Sequence, residues 1–239
     1  MNHSSLLEIF LNKLRSIIFD LDDTLYPEEE FVQSGFRTVA KWANQTLSIP
    51  RDEGLQLLLD FYHIGVRGDT FNQWLAHYGY NDLSLVRSAI ELYRNHVPEL
   101  HLFPEVPDLI SALRAKYLLG IVSDGALKTQ QNKIEVLGLK NIFHAIVLSD
   151  EWGREFWKPN TKPFVVALEK LGVNPEDAIY VGDNPLKDFL GGRRLGIKTV
   201  WVRRGHGEYA KQEPPTPEYA SDYCIRSLTE LRDIIQIYT

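Results

Sequence analysis

Cysteine is almost missing from this 239-residue chain: Cys224 stands alone, so no intramolecular disulfide can form and a reducing compartment is expected. It lies in Ser221-Asp222-Tyr223-Cys224-Ile225, which reads as a short strand with the thiol as a small core group and not as a nucleophile. No run of eighteen apolar residues is present to span a bilayer as a helix. The amino terminus lacks a basic segment followed by a long apolar stretch, so no signal peptide is expected and a cytoplasmic protein is. An excess of basic residues is missing too. The net charge of −6 argues against general nucleic-acid binding, which relies on neutralising phosphates. Arg193-Arg194 and Arg203-Arg204 read as solvated surface, with anion contacts as the alternative. There are no internal repeats.

What is present suits an ordinary folded protein: 44% hydrophobic and 24% charged residues, in a length for one large domain or one domain with an insert. Ile17, Ile18 and Phe19 form an apolar run that reads as a buried strand. From Glu28 to about Arg94 the periodicity turns helical, as in Phe36, Val39, Ala40, Ala43 and Leu47, then Leu55, Leu58, Leu59 and Tyr62. Breaks at Ile49-Pro50, at Gly65 to Gly68 and at Gly79 to Asp82 divide this stretch into roughly four helices. From Pro104 onward helices and strands alternate. Strands are expected over Tyr117 to Val122, Ala145 to Leu148, Ala178 to Val181 and Lys198 to Val202. Helices are expected over Val106 to Lys116, Leu127 to Leu137, Phe164 to Leu171 and Leu186 to Leu195. Gly205 to Pro217 reads as a surface loop, and a short last helix ends near Ile237. This alternation predicts an α/β fold with a doubly wound parallel sheet. The expected division is a Rossmann-like core of residues 1–26 and 102–239, with an all-helical cap of residues 27–101 inserted.

The strand Ile17-Ile18-Phe19 ends abruptly in Asp20-Leu21-Asp22-Asp23-Thr24. Residues two apart on a strand project the same way, so Asp20 and Asp22 converge if the extended geometry continues. An acidic turn that merely caps the strand is the alternative. Ser123, Lys158-Pro159, and Asp183 with Asp188 stand at or near later strand ends. In a parallel sheet these ends share one edge, where ligands bind.

Asp20-Leu21-Asp22-Asp23-Thr24, Ser123, Lys158-Pro159 and Gly182-Asp183-Asn184-Pro185-Leu186-Lys187-Asp188 resemble, in order and spacing, the four motifs of the haloacid dehalogenase-like (HAD) hydrolases. The resemblance covers about Arg15 to Arg204, with the helical insert where that family places a cap, in its phosphatase branch. It implies a phosphatase acting on a small phosphate ester. Asp20 would be the nucleophile that forms an aspartyl-phosphate. Asp22 would protonate the leaving group and then deprotonate the attacking water. Lys158 would add a fixed positive charge, Lys162 being a competitor in the same segment. Thr24 and the segment Ser123, Asp124 and Gly125 would hold phosphate or the loop around it, with no catalytic role for Asp124.

Two carboxylates about 4 Å apart repel by roughly 4 kcal/mol at an effective dielectric near 20, so gathering Asp20, Asp22 and Asp183 around a phosphate calls for a cation. Oxygen-only ligands point to Mg²⁺. The resemblance implies carboxylate ligands from Asp20 and Asp183 and the backbone carbonyl of Asp22, with Asp188 and Asn184 just outside them. Asp23 is read as structural. His63, Arg67, Trp74, His77 and Tyr78 are candidates for reading the leaving group from the cap, with ordinary packing or solvated surface as the alternative. A haloacid dehalogenase, a phosphomutase and a non-enzymatic phosphoacceptor module are the other readings. Asp22 and Asp183 count against the first, and the insert counts against the last. Neither a nucleic acid nor a membrane is an expected partner, and oligomeric state stays open.

Overall fold

A computed structural model describes residues 14–238. Residues 1–13, and with them the start of the first core segment and the expectation about a leader, lie outside the described residues, as does residue 239.

Six parallel strands form one sheet in the order β3-β2-β1-β4-β5-β6. They are β1 (Ser16–Phe19), β2 (Leu118–Ser123), β3 (Ala145–Leu148), β4 (Ala178–Gly182), β5 (Lys198–Val202) and β6 (Tyr223–Ile225). In-register parallel pairing sets Phe19 opposite Ile121 on one side and Val181 on the other. Both faces are covered, which is why the strands read as continuous apolar runs. Ile17, Phe19, Ile179, Val181, Val200 and Val202 pack on one face with α5 (Val106–Arg114), α6 (Leu127–Val136) and α9 (Leu231–Gln236). Ile18, Tyr180 and Trp201 point to the other face, against α7 (Lys162–Leu171) and α8 (Asp188–Leu195).

The chain builds β2 and β3 on one side of β1 and then β4 to β6 on the other. The carboxyl edge beside β1 is therefore a topological switch point, where an open sheet leaves a crevice. Asp20 follows β1 at that edge.

Between β1 and α5 lie α1 (Glu28–Leu47), α2 (Arg51–His63), α3 (Thr70–His77) and α4 (Leu83–Asn95). They bury an apolar cluster of their own around Phe36, Val39, Leu58, Trp74, Leu75 and Ala89. Trp74 is wholly buried and donates its indole N–H to Gly54 O at 2.9 Å, so it is a packing residue. Among the described residues no helix is long and apolar enough to cross a membrane.

Two expectations change. Cys224 does lie on a strand, but its side is exposed: β6 is the edge strand, and only the face carrying Ile225 is covered. The helix expected from Leu186 begins at Asp188 instead. Asn184 Oδ1 accepts Leu186 N at 2.9 Å and Asn184 O accepts Asp188 N at 3.0 Å, which holds residues 184–187 as a turn.

Candidate active site

Four loops meet at the carboxyl edge of β1. Asp20 N donates to Val181 O at 2.8 Å, which continues the strand pairing by one residue and seats Asp20 beside β4. Lys158 Nζ stands at its centre, wholly enclosed. It lies 2.7 Å from Asp20 Oδ1, 2.8 Å from Asp188 Oδ1 and 2.9 Å from the Tyr180 hydroxyl. Lys162 is instead placed over the rings of Trp152 and Phe156, away from this cluster. Asp188 is fixed on its other oxygen by Asn184 N at 2.8 Å. The backbone reaches this close only because residue 182 is glycine, since a Cβ there would lie 2.5 Å from Asp188 Oδ2.

Asp183 completes the group. Asp20, Asp183 and Asp188 each present an oxygen within 4.8 Å of the others. Among the described residues the Asp183 carboxylate accepts only the Thr24 hydroxyl, at 3.4 Å, and has no cation of its own. Burial, with the charges of Asp188 and Asp20 adding to it, raises Asp183 well above the usual carboxylate range. Burial likewise pushes Asp20 up to about 7, with Asp188 adding and Lys158 opposing. Lys158 offsets part of the charge of these three aspartates, and an oxygen-only cluster left with net negative charge fits a hard divalent cation.

The Asp22 carboxylate stands outside this group and has partners of its own. The chain leaves β1 after Phe19, and Asp22 projects toward α6. Its Oδ1 is 2.6 Å from Lys133 Nζ and also accepts the Tyr26 hydroxyl; its Oδ2 accepts Gln130 Nε2 at 2.9 Å. Burial works to raise Asp22, but the charge and hydrogen bond of Lys133 outweigh it and hold the carboxyl below its ordinary value. Part of the repulsion expected among the aspartates is thus cancelled inside the protein.

Ser123 ends β2 and its hydroxyl accepts the same Gln130 Nε2 at 2.6 Å. The Asp124 carboxylate accepts Lys158 N at 3.1 Å and pairs with Lys187 Nζ at 3.0 Å, so its side chain organises two lysines. Gly125 has φ +131, a backbone conformation that L side chains rarely adopt, and packs against Gln130. The Asn184 side chain is used within its own turn. Asp23 sits at φ 50, and its two oxygens accept Glu28 N and Glu208 N, both at 2.9 Å. It ties the start of α1 to the loop after β5.

Of the residues expected to read the leaving group, Arg67 reaches the loop after β5, donating to Glu208 through Nε at 3.0 Å and Nη2 at 2.7 Å. Beside it is a cavity of about 340 Å³ lined by Glu28, Phe36, Tyr62, Tyr93 and Tyr209 among others. His63 and His77 are exposed and Tyr78 packs edge-on against Trp74.

Sequence reasoning missed Lys133, Gln130, Tyr26, Lys187 and Tyr180. One signal was there. Gln130 and Lys133, three apart on a helix that follows Ser123, occupy the inward face where apolar residues are usual, and buried lysine is rare without a partner.

The family description "haloacid dehalogenase-like hydrolase" matches residues 17–202. The glyceraldehyde 3-phosphate phosphatase of Methanopyrus kandleri is 32% identical, over 93% of this chain and 97% of its own. A HAD phosphatase from Thermococcus onnurineus shares the fold with a TM-score of 0.61 at 27% identity, covering 93% of this chain and 98% of that one. The magnesium-bound putative HAD-hydrolase YfnB of Bacillus subtilis has a TM-score of 0.65 at 24% identity, over 93% of this chain and 99% of that one. The motif match, the family match and this full-length likeness agree: the chain is an enzyme of the haloacid dehalogenase-like hydrolase family.

Proposed function

We propose that the protein is a Mg²⁺-dependent phosphatase that hydrolyses a small phosphomonoester through an aspartyl-phosphate on Asp20. The observation that carries this reading is the enclosed Lys158 ammonium, 2.7 Å from Asp20 at the switch-point crevice, with Asp183 and Asp188 gathered beside it. That arrangement supplies a nucleophile, a fixed cation and an oxygen ligand set in one place. The likeness to glyceraldehyde 3-phosphate phosphatases supports a phosphate ester as substrate and makes a triose phosphate the first compound to test.

In the proposed reaction an Asp20 oxygen attacks phosphorus while the bond from phosphorus to the ester oxygen breaks, and a proton from the Asp22 carboxyl goes to the departing alcohol. A water then attacks the phosphoryl group, gives its proton back to Asp22, and frees Asp20 and inorganic phosphate. The ionised Asp22 held by Lys133 is the form that receives this second proton. The first proton is taken up when the phosphate dianion arrives, since a nearby negative charge favours the protonated acid. The Asp20 and Asp183 carboxylates and the Asp22 carbonyl would hold Mg²⁺, which when bound would supply positive charge against the phosphate. Asp188, already committed to Lys158 and Asn184 N, keeps the lysine in place. The Ser123 hydroxyl, the backbone around Gly125 and Thr24 hold the phosphate oxygens. Residues 27–101 act as a cap over this edge of the α/β core, in a cytoplasmic setting consistent with the single cysteine.

Phosphate release from a panel of phosphomonoesters, with Mg²⁺ and with chelator, tests the reading. Mg²⁺-dependent release that Asp20→Asn abolishes is the expected result. Undiminished release by that variant, free of contaminating phosphatase, would overturn the nucleophile assignment.

A further inference from the structure

Lys133 is buried to the tip, with its side chain 4% exposed, and among the described residues its one ion pair is with Asp22 at 2.6 Å. The ammonium lies 4.3 Å from the centre of the Phe31 ring, in the first turn of α1, and 5.8 Å from that of Tyr26. Gln130, one turn earlier on α6, joins Asp22 Oδ2 to Ser123 Oγ and to Asp124 O through one amide nitrogen. Both oxygens of Asp22 are therefore held, and from one helix. The same helix grips the far end of the cap. Thr129 donates to Arg94 O at 2.9 Å, and Asn132 Nδ2 donates to Asn95 O at 3.2 Å and His96 O at 3.0 Å, where α4 ends. One face of α6 thus touches the entry to the cap, the exit from it, the end of β2 and the Asp22 carboxylate.

We infer that Lys133, assisted by Gln130 and Tyr26, is the residue that positions the Asp22 carboxylate for proton transfer at the ester oxygen, and that α6 ties this placement to the seating of the cap. The inference rests on the phosphatase reading, in which Asp22 gives a proton to the departing oxygen and recovers one from water. Lys133 itself is a positioning residue and exchanges no proton with substrate. A carboxyl carried on a loop beyond the last strand residue has several rotamers open to it; a buried ammonium and an amide, on one rigid helix, select one of them.

The test separates positioning from folding by the leaving group. Lys133→Met, Lys133→Arg, Asp22→Asn and the Asp22→Asn/Lys133→Met double variant are compared with wild type. Single-turnover release of the alcohol is followed for an alkyl phosphate, phenyl phosphate and 4-nitrophenyl phosphate. General acid assistance is worth about 10²- to 10⁴-fold for a poor leaving group and little for nitrophenolate. Lys133→Met is expected to lose about 100-fold on the alkyl ester and less than about fivefold on the nitrophenyl ester, with Lys133→Arg restoring much of the loss. In the Asp22→Asn background the same change should cost less than about threefold, because the group it positions is already gone. An equal loss on all three esters, or a full additional loss in the double variant, would overturn the inference while leaving the phosphatase reading intact. Absence of Mg²⁺-dependent nitrophenol release by wild type would overturn both.

Discussion

The carboxylates of the site make a prediction about how the cation and pH act together. In the absence of a cation, Asp20 is raised by burial to about 7 and Asp183 is raised as well. Unit negative charges about 5 Å apart at an effective dielectric near 20 repel by about 3 kcal/mol, and Lys158 offsets one such pair, so the cluster retains protons near neutrality. The sign follows from linkage. Between the ordinary carboxylate pKa and about 7 the folded state binds more protons than the unfolded chain. These groups therefore make the metal-free protein less stable as pH rises across that window. A divalent cation must displace the protons, so its affinity rises about tenfold per pH unit for each proton released. At a Mg²⁺ concentration 100 times Kd the gain is about 2.7 kcal/mol, or roughly 5–11 °C in Tm for a chain of this size. Calorimetric titration with Mg²⁺ at pH 6, 7 and 8, in buffers of different ionisation enthalpy, should show proton release that declines from pH 6 to pH 8 as Asp20 ionises, and the Mg²⁺-induced rise in Tm should be smaller at pH 6 than at pH 8. A Kd independent of pH over this range, with no proton release, would refute the reasoning: the carboxylates would then be ionised before the cation binds.

Other consequences can be measured separately. Lys158→Met strands Asp20 and Asp188 without their shared cation, so urea unfolding should show a loss of about 3–5 kcal/mol, part of it recovered by adding Asp188→Asn. Gly182→Ala should displace Asp188 and lower phosphate release at least tenfold with little change in far-UV circular dichroism, because the new methyl would stand 2.5 Å from Asp188 Oδ2. Asp22 is depressed, so its contribution to stability is present above the ordinary carboxylate pKa and is lost as pH falls through its folded value; Asp22→Asn should lose less stability than wild type between pH 6 and pH 3. A double-mutant cycle on Arg67 and Glu208, both partly exposed, should give a coupling of no more than about 1 kcal/mol in thermal unfolding.

The architecture was legible because its strands are short apolar runs ending in turns and its helices keep a 3.6-residue period. Both signals survive without knowledge of the tertiary neighbours. Asp20 and Asp183 were legible for a related reason: each directly follows a strand, and in a parallel sheet every strand end lies along one edge; Lys158 lies well past the end of β3 and is singled out by the motif resemblance instead. Cys224 was misread because its strand pattern says nothing about whether it lies at the centre or the margin of the sheet. The partners of Asp22 were illegible for a different cause. Alternation along a strand predicts where Asp22 points only while the strand lasts, and β1 stops at Phe19. After that the direction of the carboxylate is decided by which cation can reach it, and that cation comes from residue 133, in the middle of a helix. A lysine in a helix is almost always solvated, so its type carries no warning; its position does. Thr129, Gln130, Lys133 and Ile134 all face inward on α6, and three of these four are polar. Burying them has to be compensated by partners elsewhere, and the carboxylate of Asp22, the Ser123 hydroxyl and the carbonyl of Arg94 are those partners. The polar inner face of α6 is thus where the end of β2, the Asp22 carboxylate and the end of α4 meet, and a helix with such a face beside a motif serine is worth reading from sequence as part of a site.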